Sequence, residues 1–172
     1  NILAGRGFTV QGREAGMEPL FPLFLAGVYG LFGHNYDTVR IIQIFLFAFL
    51  AVFIFLIVEK LFGSKIATYS ALAIALFPSL AIEAGNLTTE MLFIFLLVVS
   101  IFAFYKAEIY YQRESAENPH LSVFVWLASA GIFLALAAMT RSIVQFFIIV
   151  AVVNVFIVYY RRSSFKIGLL KA

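Results

Sequence analysis

"IIQIFLFAFLAVFIFLIV", Ile41 to Val58, is apolar throughout except for Gln43. A helix of that length rises about 27 Å, close to the roughly 30 Å hydrocarbon core of a bilayer. The run does not alternate and is far longer than a barrel strand. In lipid, such a segment must close its own backbone hydrogen bonds, so it is read as a membrane-spanning α-helix. Working outward, four more segments repeat the pattern: Ile66–Ile82, Met91–Tyr105 (lengthened by Thr88 to Ile109), Leu121–Met139 and Ile143–Tyr160. The fold class expected is therefore all-α, a polytopic transmembrane bundle with about five spanning helices.

Composition supports that reading. The chain is 63% hydrophobic with 21 Phe, and only 12% of its residues are charged. A soluble domain of 172 residues would leave much of that apolar surface in water. The absence of cysteine excludes a disulfide framework and Cys-based zinc or thiol chemistry. The basic residues are too scattered for a nucleic-acid patch. Their distribution does give an orientation. Lys60, Lys65, Lys106, Arg113, Arg161, Arg162, Lys166 and Lys171 fall on one side of the spans, and only Arg6, Arg13, Arg40 and Arg141 on the other. By the positive-inside rule the first side is cytoplasmic. Residues 1–37 are then an extracytoplasmic loop, residues 38–160 carry the five transmembrane helices, and residues 161–172 form a cytoplasmic basic tail.

Within the N-terminal stretch, "MEPLFPLFLAGVYGLFG" (Met17–Gly33) has an apolar core too short to span and is diluted by Gly27, Gly30 and Gly33. It is read as a helix in the outer interface. Pro19 suits its first turn and Glu18 the positive end of its dipole. Thr38 is the expected cap of the first span. The chain opens on Asn1 with a long outer segment and no signal peptide. The expectation is a fragment of a longer protein, with an upstream helix and at least six spans.

Polar residues gather on the outer side. The link "IEAGNLTTEML", Ile82 to Leu92, holds Glu83, Asn86, Thr88, Thr89 and Glu90. Two readings of Glu90 stand side by side. It is a helix-start acid that the dipole stabilises by about 0.3–1 kcal/mol, or a carboxylate bordering a wet pocket. Glu83 reads as an interfacial charge. Arg141, in "AAMTRSI", sits in a tight turn on the side poor in positive charge. It snorkels to headgroups, or its planar fork binds a phosphate. Arg40 opens the first span and snorkels in the simplest reading. His34 beside Asp37 is not a metal site. The glycines around Arg6 match neither a P-loop nor a dinucleotide fingerprint. No Ser-His-Asp set, HExxH or nucleophile elbow is present.

The order of "NILAGRGF", "EPLFPLFLAGVYGLFG", "VRIIQ", "ALFPSLAIEAGNLTTEMLF" and "GIFLALAAMTRS" resembles that in the GT-C membrane glycosyltransferases of the dolichyl-phosphate-mannose protein mannosyltransferase type. The resemblance runs from Asn1 to about Phe147. It implies transfer of a sugar from a polyprenyl- or dolichyl-phosphate donor to a lipid, glycan or protein acceptor at the extracytoplasmic face. A carboxylate base would serve the acceptor and cations the departing phosphate. By the same resemblance the main catalytic aspartate lies upstream of Asn1, so this chain alone would be inactive. Glu90 matches an acidic position of the second outer loop. Arg141 matches the arginine of an L-T-R-P pattern whose proline is here Ser142. Arg40 matches a frequent helix-start arginine, and Arg13 and Glu18 would border the substrate cavity. No cofactor is implied, and a divalent cation is left open. The partners implied are the lipid-linked donor, the acceptor and membrane lipids, with no nucleic acid. The location is the plasma membrane, or the endoplasmic reticulum membrane in a eukaryote. Two rivals are kept. A transporter or lipid flippase would show polar mid-span residues and discontinuous helices. A non-catalytic subunit would use a small-residue seam such as Ala128, Gly131 and Ala135.

Overall fold

The computed structural model describes residues 18–113 and 121–144, together with 146, 149, 152 and 153, and the backbone of 9–10 and 13–14. The chain divides into two compact units, residues 1–141 and 142–172. In the first, a two-residue antiparallel pair, Thr9–Val10 with Arg13–Glu14, precedes six helices. These are α1 (Leu20–Phe32), α2 (Tyr36–Phe62), α3 (Ser64–Ala75), α4 (Pro78–Gly85), α5 (Thr89–Arg113) and α6 (Leu121–Thr140). In the second, Ser142–Val144 form a 3₁₀ turn.

The architecture is all-helical, as expected, but with fewer spans. Among the described residues α2, α5 and α6 are each long and apolar enough to cross a membrane, and α3 with α4 makes a fourth only if the two count as one broken span. The expected single span Ile66–Ile82 is therefore corrected to two helices bent by 51°. Proline is the cause. Pro78 has no N–H to continue the ladder and pushes the preceding residue out of the helical region. Phe77 is accordingly extended, at φ −75° and ψ 108°, and Pro78 takes the first position of the new helix. The expected fifth span, Ile143–Tyr160, lies mostly outside the described residues, as does the basic tail 161–172.

Glycine ends two helices where a side chain would be strained. Gly33 (φ 78°) follows α1 and Gly63 (φ 87°) follows α2. Gly63 alone joins α2 to α3, and its N–H bonds the Glu59 carbonyl at 2.9 Å. The start of α2 differs from expectation. Asn35, not Thr38, is the cap, and its side chain accepts a hydrogen bond from the Asp37 N–H at 2.9 Å. Asn35 wins because it already sits in extended backbone one residue outside the helix, whereas Thr38 is inside it.

Helices pack through narrow stripes. On α2 the buried residues are Val39, Gln43 and Leu50, one face at helical spacing. On α6 they are Val123, Ala130, Ala137 and Thr140. The Ser100 hydroxyl of α5 donates to the Ala130 carbonyl at 2.8 Å, tying α5 to α6. Most of the remaining apolar surface faces outward, including Phe45, Phe49, Phe124 and Ile132, as a bundle solvated by lipid requires. Ala128, Gly131 and Ala135, the seam considered above, are exposed as well. Leu50 of α2, Ala84 of α4 and Met91 of α5 form the tightest cluster, flanked by Leu46, Ile74, Leu80 and Ile94. Leu50→Ala should leave a cavity there and lower stability by about 2 kcal/mol or more. Thermal unfolding in detergent checks this, with exposed Phe45→Ala as the control that should change little.

Candidate functional site

Directly above Leu50, Ala84 and Met91, the polar run of the α4–α5 link meets two other helices. Glu83 lies in the last turn of α4, and its Oε2 accepts the Thr88 hydroxyl at 2.8 Å. Thr89 and Glu90 open α5, with Glu90 in the first turn. The Thr89 hydroxyl reaches Glu90 Oε2 at 3.4 Å. From α2, Gln43 Nε2 donates to the Thr88 carbonyl at 3.0 Å. From the end of α6, Arg141 Nη1 lies 3.3 Å from Glu90 Oε1. Arg141 keeps its backbone tied to the helix, its N–H bonding the Ala137 carbonyl at 3.1 Å. α2 and α4 thus hold Thr88, and two residues on, Glu90 of α5 meets Arg141 at the end of α6.

The exposures separate the roles of these groups. The Arg141 side chain is 46% exposed and that of Glu90 33%. Such a pair contributes about 0–1 kcal/mol to stability, so it orients the two groups without adding much to the fold. It is open enough for an incoming anion to compete for the guanidinium. Gln43 is different. It is fully buried, and its Oε1 has no hydrogen-bond partner. An unpaired buried acceptor costs about 1–3 kcal/mol, which a leucine there would avoid.

The predicted site residues divide. Glu90 and Arg141 come together. Arg40 instead pairs with Asp37 on its own helix at 3.3 Å, with both side chains exposed. Glu18 is exposed just before α1. The backbone of Arg13 lies in the short strand pair, and its side chain is outside the described residues. Gln43 was visible in the sequence only as an interruption of an apolar run. Its position on the stripe shared with Val39 and Leu50 was the available signal that it faces protein and not lipid. Thr88, just before α5, spends its hydroxyl on Glu83.

Two other features lie elsewhere. At the α1–α2 turn, Tyr29 stacks on His34 with ring centroids 4.5 Å apart, and Tyr36 meets His34 edge-on at 5.2 Å. Burial, and then the neighbouring Tyr36, hold the Tyr29 phenol above its ordinary 10.0. An open apolar cleft of about 400 Å³ lies between α2 and α3, lined by Ala51, Phe55, Ala71 and Ala75 among others. Its one hydroxyl, on Thr68, is spent on the Ser64 carbonyl, so the cleft offers shape without chemistry. Among the described residues no group of His, Asp and Glu could hold a metal ion.

The comparisons with known proteins bear on the chemistry. The family model described as dolichyl-phosphate-mannose-protein mannosyltransferase matches residues 16–170. The match spans α1 through α6 and includes Gln43, Glu90 and Arg141. No curated protein and no solved structure matches the chain.

Proposed function

The chain belongs to the dolichyl-phosphate-mannose-protein mannosyltransferase family, a family of membrane glycosyltransferases, and on that basis we propose that it moves a sugar from a polyprenyl- or dolichyl-phosphate donor to a lipid, glycan or protein acceptor at the extracytoplasmic face. The observation that carries the site assignment is the contact between Arg141 and Glu90 at 3.3 Å. Arg141 takes the donor phosphate, for which a planar, permanently charged fork is suited. Glu90 orients that fork in the resting protein. When phosphate draws the guanidinium away, the Glu90 carboxylate is left to accept a hydrogen bond from a sugar or acceptor hydroxyl.

The acceptor hydroxyl oxygen forms a bond to the anomeric carbon. The bond from that carbon to the phosphate oxygen breaks, its electron pair leaves on the lipid phosphate, and the hydroxyl proton passes to a carboxylate base. Negative charge grows on the departing phosphate, where a preorganised cation contributes most. The face follows from charge. Lys60 and Lys65 flank the α2–α3 turn and Lys106 lies in the second half of α5, away from its Glu90 end, and by the positive-inside rule that lysine side is the cytoplasmic one. The protein is then an integral membrane protein of the plasma membrane or, in a eukaryote, of the endoplasmic reticulum, with its N-terminal part extracytoplasmic.

The break between α3 and α4 is the feature that a transporter reading asks for. Family membership outweighs it, and the buried polar Gln43 is occupied with the α4–α5 link and does not line a path. The test is release of lipid phosphate from a radiolabelled polyprenyl-phosphate sugar by the intact protein in detergent, with and without a membrane extract as acceptor. Acceptor-dependent release is expected. No release across several sugars would overturn the assignment and favour transport.

A further inference from the structure

Three polar side chains are buried among the described residues: Gln43, Ser100 and Thr140. Two have plain structural uses. Ser100 ties α5 to α6, and Thr140 donates to the Leu136 carbonyl one turn back on its own helix. Gln43 does neither. Its amide reaches across 45 positions of sequence to the backbone of Thr88, two residues before Glu90.

We infer that Gln43 is a positioning residue for Glu90, acting through Thr88, an inference that rests on the transferase reading above. Thr88 is held at two points, its carbonyl by Gln43 and its hydroxyl by Glu83. Below it, fully buried Met91 packs against Leu50, which lies two turns along α2 from Gln43 on the same face. The first turn of α5 is thereby fixed along and across its axis by one helix, α2, through a hydrogen bond above and a packing contact below. Glu90 lies between those two anchors. A leucine at 43 would fill the same space and relieve the unpartnered Oε1. It would not hold the Thr88 carbonyl. Helix packing alone therefore does not account for the amide, whereas placement of the Glu90 carboxylate does. The carboxylate must meet both a guanidinium and a substrate hydroxyl, and a shift of about 1 Å in such a group costs up to about a hundredfold in rate.

Two measurements on Gln43→Leu in the intact protein test this, with Gln43→Met as a second apolar variant should the first fail to accumulate. The first needs no activity. Residues 1–172 hold no cysteine, so once any cysteine elsewhere in the intact protein is replaced by serine, a nitroxide label on Asn86→Cys, an exposed position in the same link, reports the mobility of that segment. Mobility should rise in the Gln43 variants while the folded protein still accumulates, the relief of Oε1 offsetting the lost bond to the Thr88 carbonyl. The second is turnover with the lipid-linked donor in the unlabelled chain. It should fall about tenfold or more, with KM for the donor changing less than about threefold. Unchanged label mobility overturns the inference whatever the activity does. Raised mobility with turnover within about twofold of the parent also overturns it, since the segment would then move without consequence for catalysis. A parent protein inactive towards every donor would overturn the transferase reading instead, and the label would still decide whether Gln43 holds the link.

Discussion

Arg141→Ala is expected to lower turnover about a hundredfold or more, the usual loss when a preorganised group facing developing negative charge is removed. The protein should still fold. Arg141 follows the last residue of α6, its side chain is nearly half exposed, and its ion pair adds little to stability. Arg141→Lys separates two accounts of the residue. If charge alone matters, lysine restores most of the rate. If the planar fork must meet Glu90 and a phosphate together, lysine restores little, because it presents a point charge on a flexible stem. Steady-state release of lipid phosphate measures both variants. An Arg141→Ala protein with near-parental turnover would return Arg141 to the headgroup-snorkelling role.

Glu90→Gln should lower turnover at least about tenfold without reducing the amount of protein in the membrane. Glutamine keeps the shape and can still receive the Thr89 hydroxyl, but it loses the charge that holds Arg141. The double variant carries the sharper information. If Glu90 works by orienting Arg141, adding Glu90→Gln to Arg141→Ala costs almost nothing more. If Glu90 handles a substrate proton independently, the two losses multiply. Near-normal turnover of Glu90→Gln alone would leave it a helix-start acid, the bland reading of its place in the first turn of α5.

The sequence made some of this legible and not the rest, for identifiable reasons. α2, α5 and α6 were readable because each is a long apolar run, and a membrane leaves such a run few options besides a helix. The broken second span was not, because one proline inside a mild apolar segment signals equally a kink or the start of a new helix. The outcome depends on whether the preceding residue, Phe77, leaves the helical region. The cap of α2 was misplaced because Asn35 and Thr38 are both good capping residues three positions apart. At the site, the topology put Glu90 and Arg141 on one side, but their 3.3 Å contact comes from how α5 packs on α6, which spacing does not encode. Arg40 was drawn to the same side by the same logic and is held instead by Asp37. Gln43 was hardest to see, since its partner is a backbone carbonyl and no residue type announces that.

The single residue between α2 and α3 bears on how the chain enters the membrane in the first place. α2 is long and apolar enough to cross a membrane by itself, whereas α3 and α4 are so only when taken together. Gly63 allows no slack between them, and its left-handed backbone turns the chain back at once. The weaker pair is thus delivered to the bilayer alongside a strong one, as the second arm of a hairpin. The expected consequence is that residues 36–85 partition into the bilayer as one unit, the strong α2 favouring entry of the weaker pair. On the topology proposed above, that hairpin would carry the end of α4 with Glu83 to the outer face, where α5 begins with Glu90.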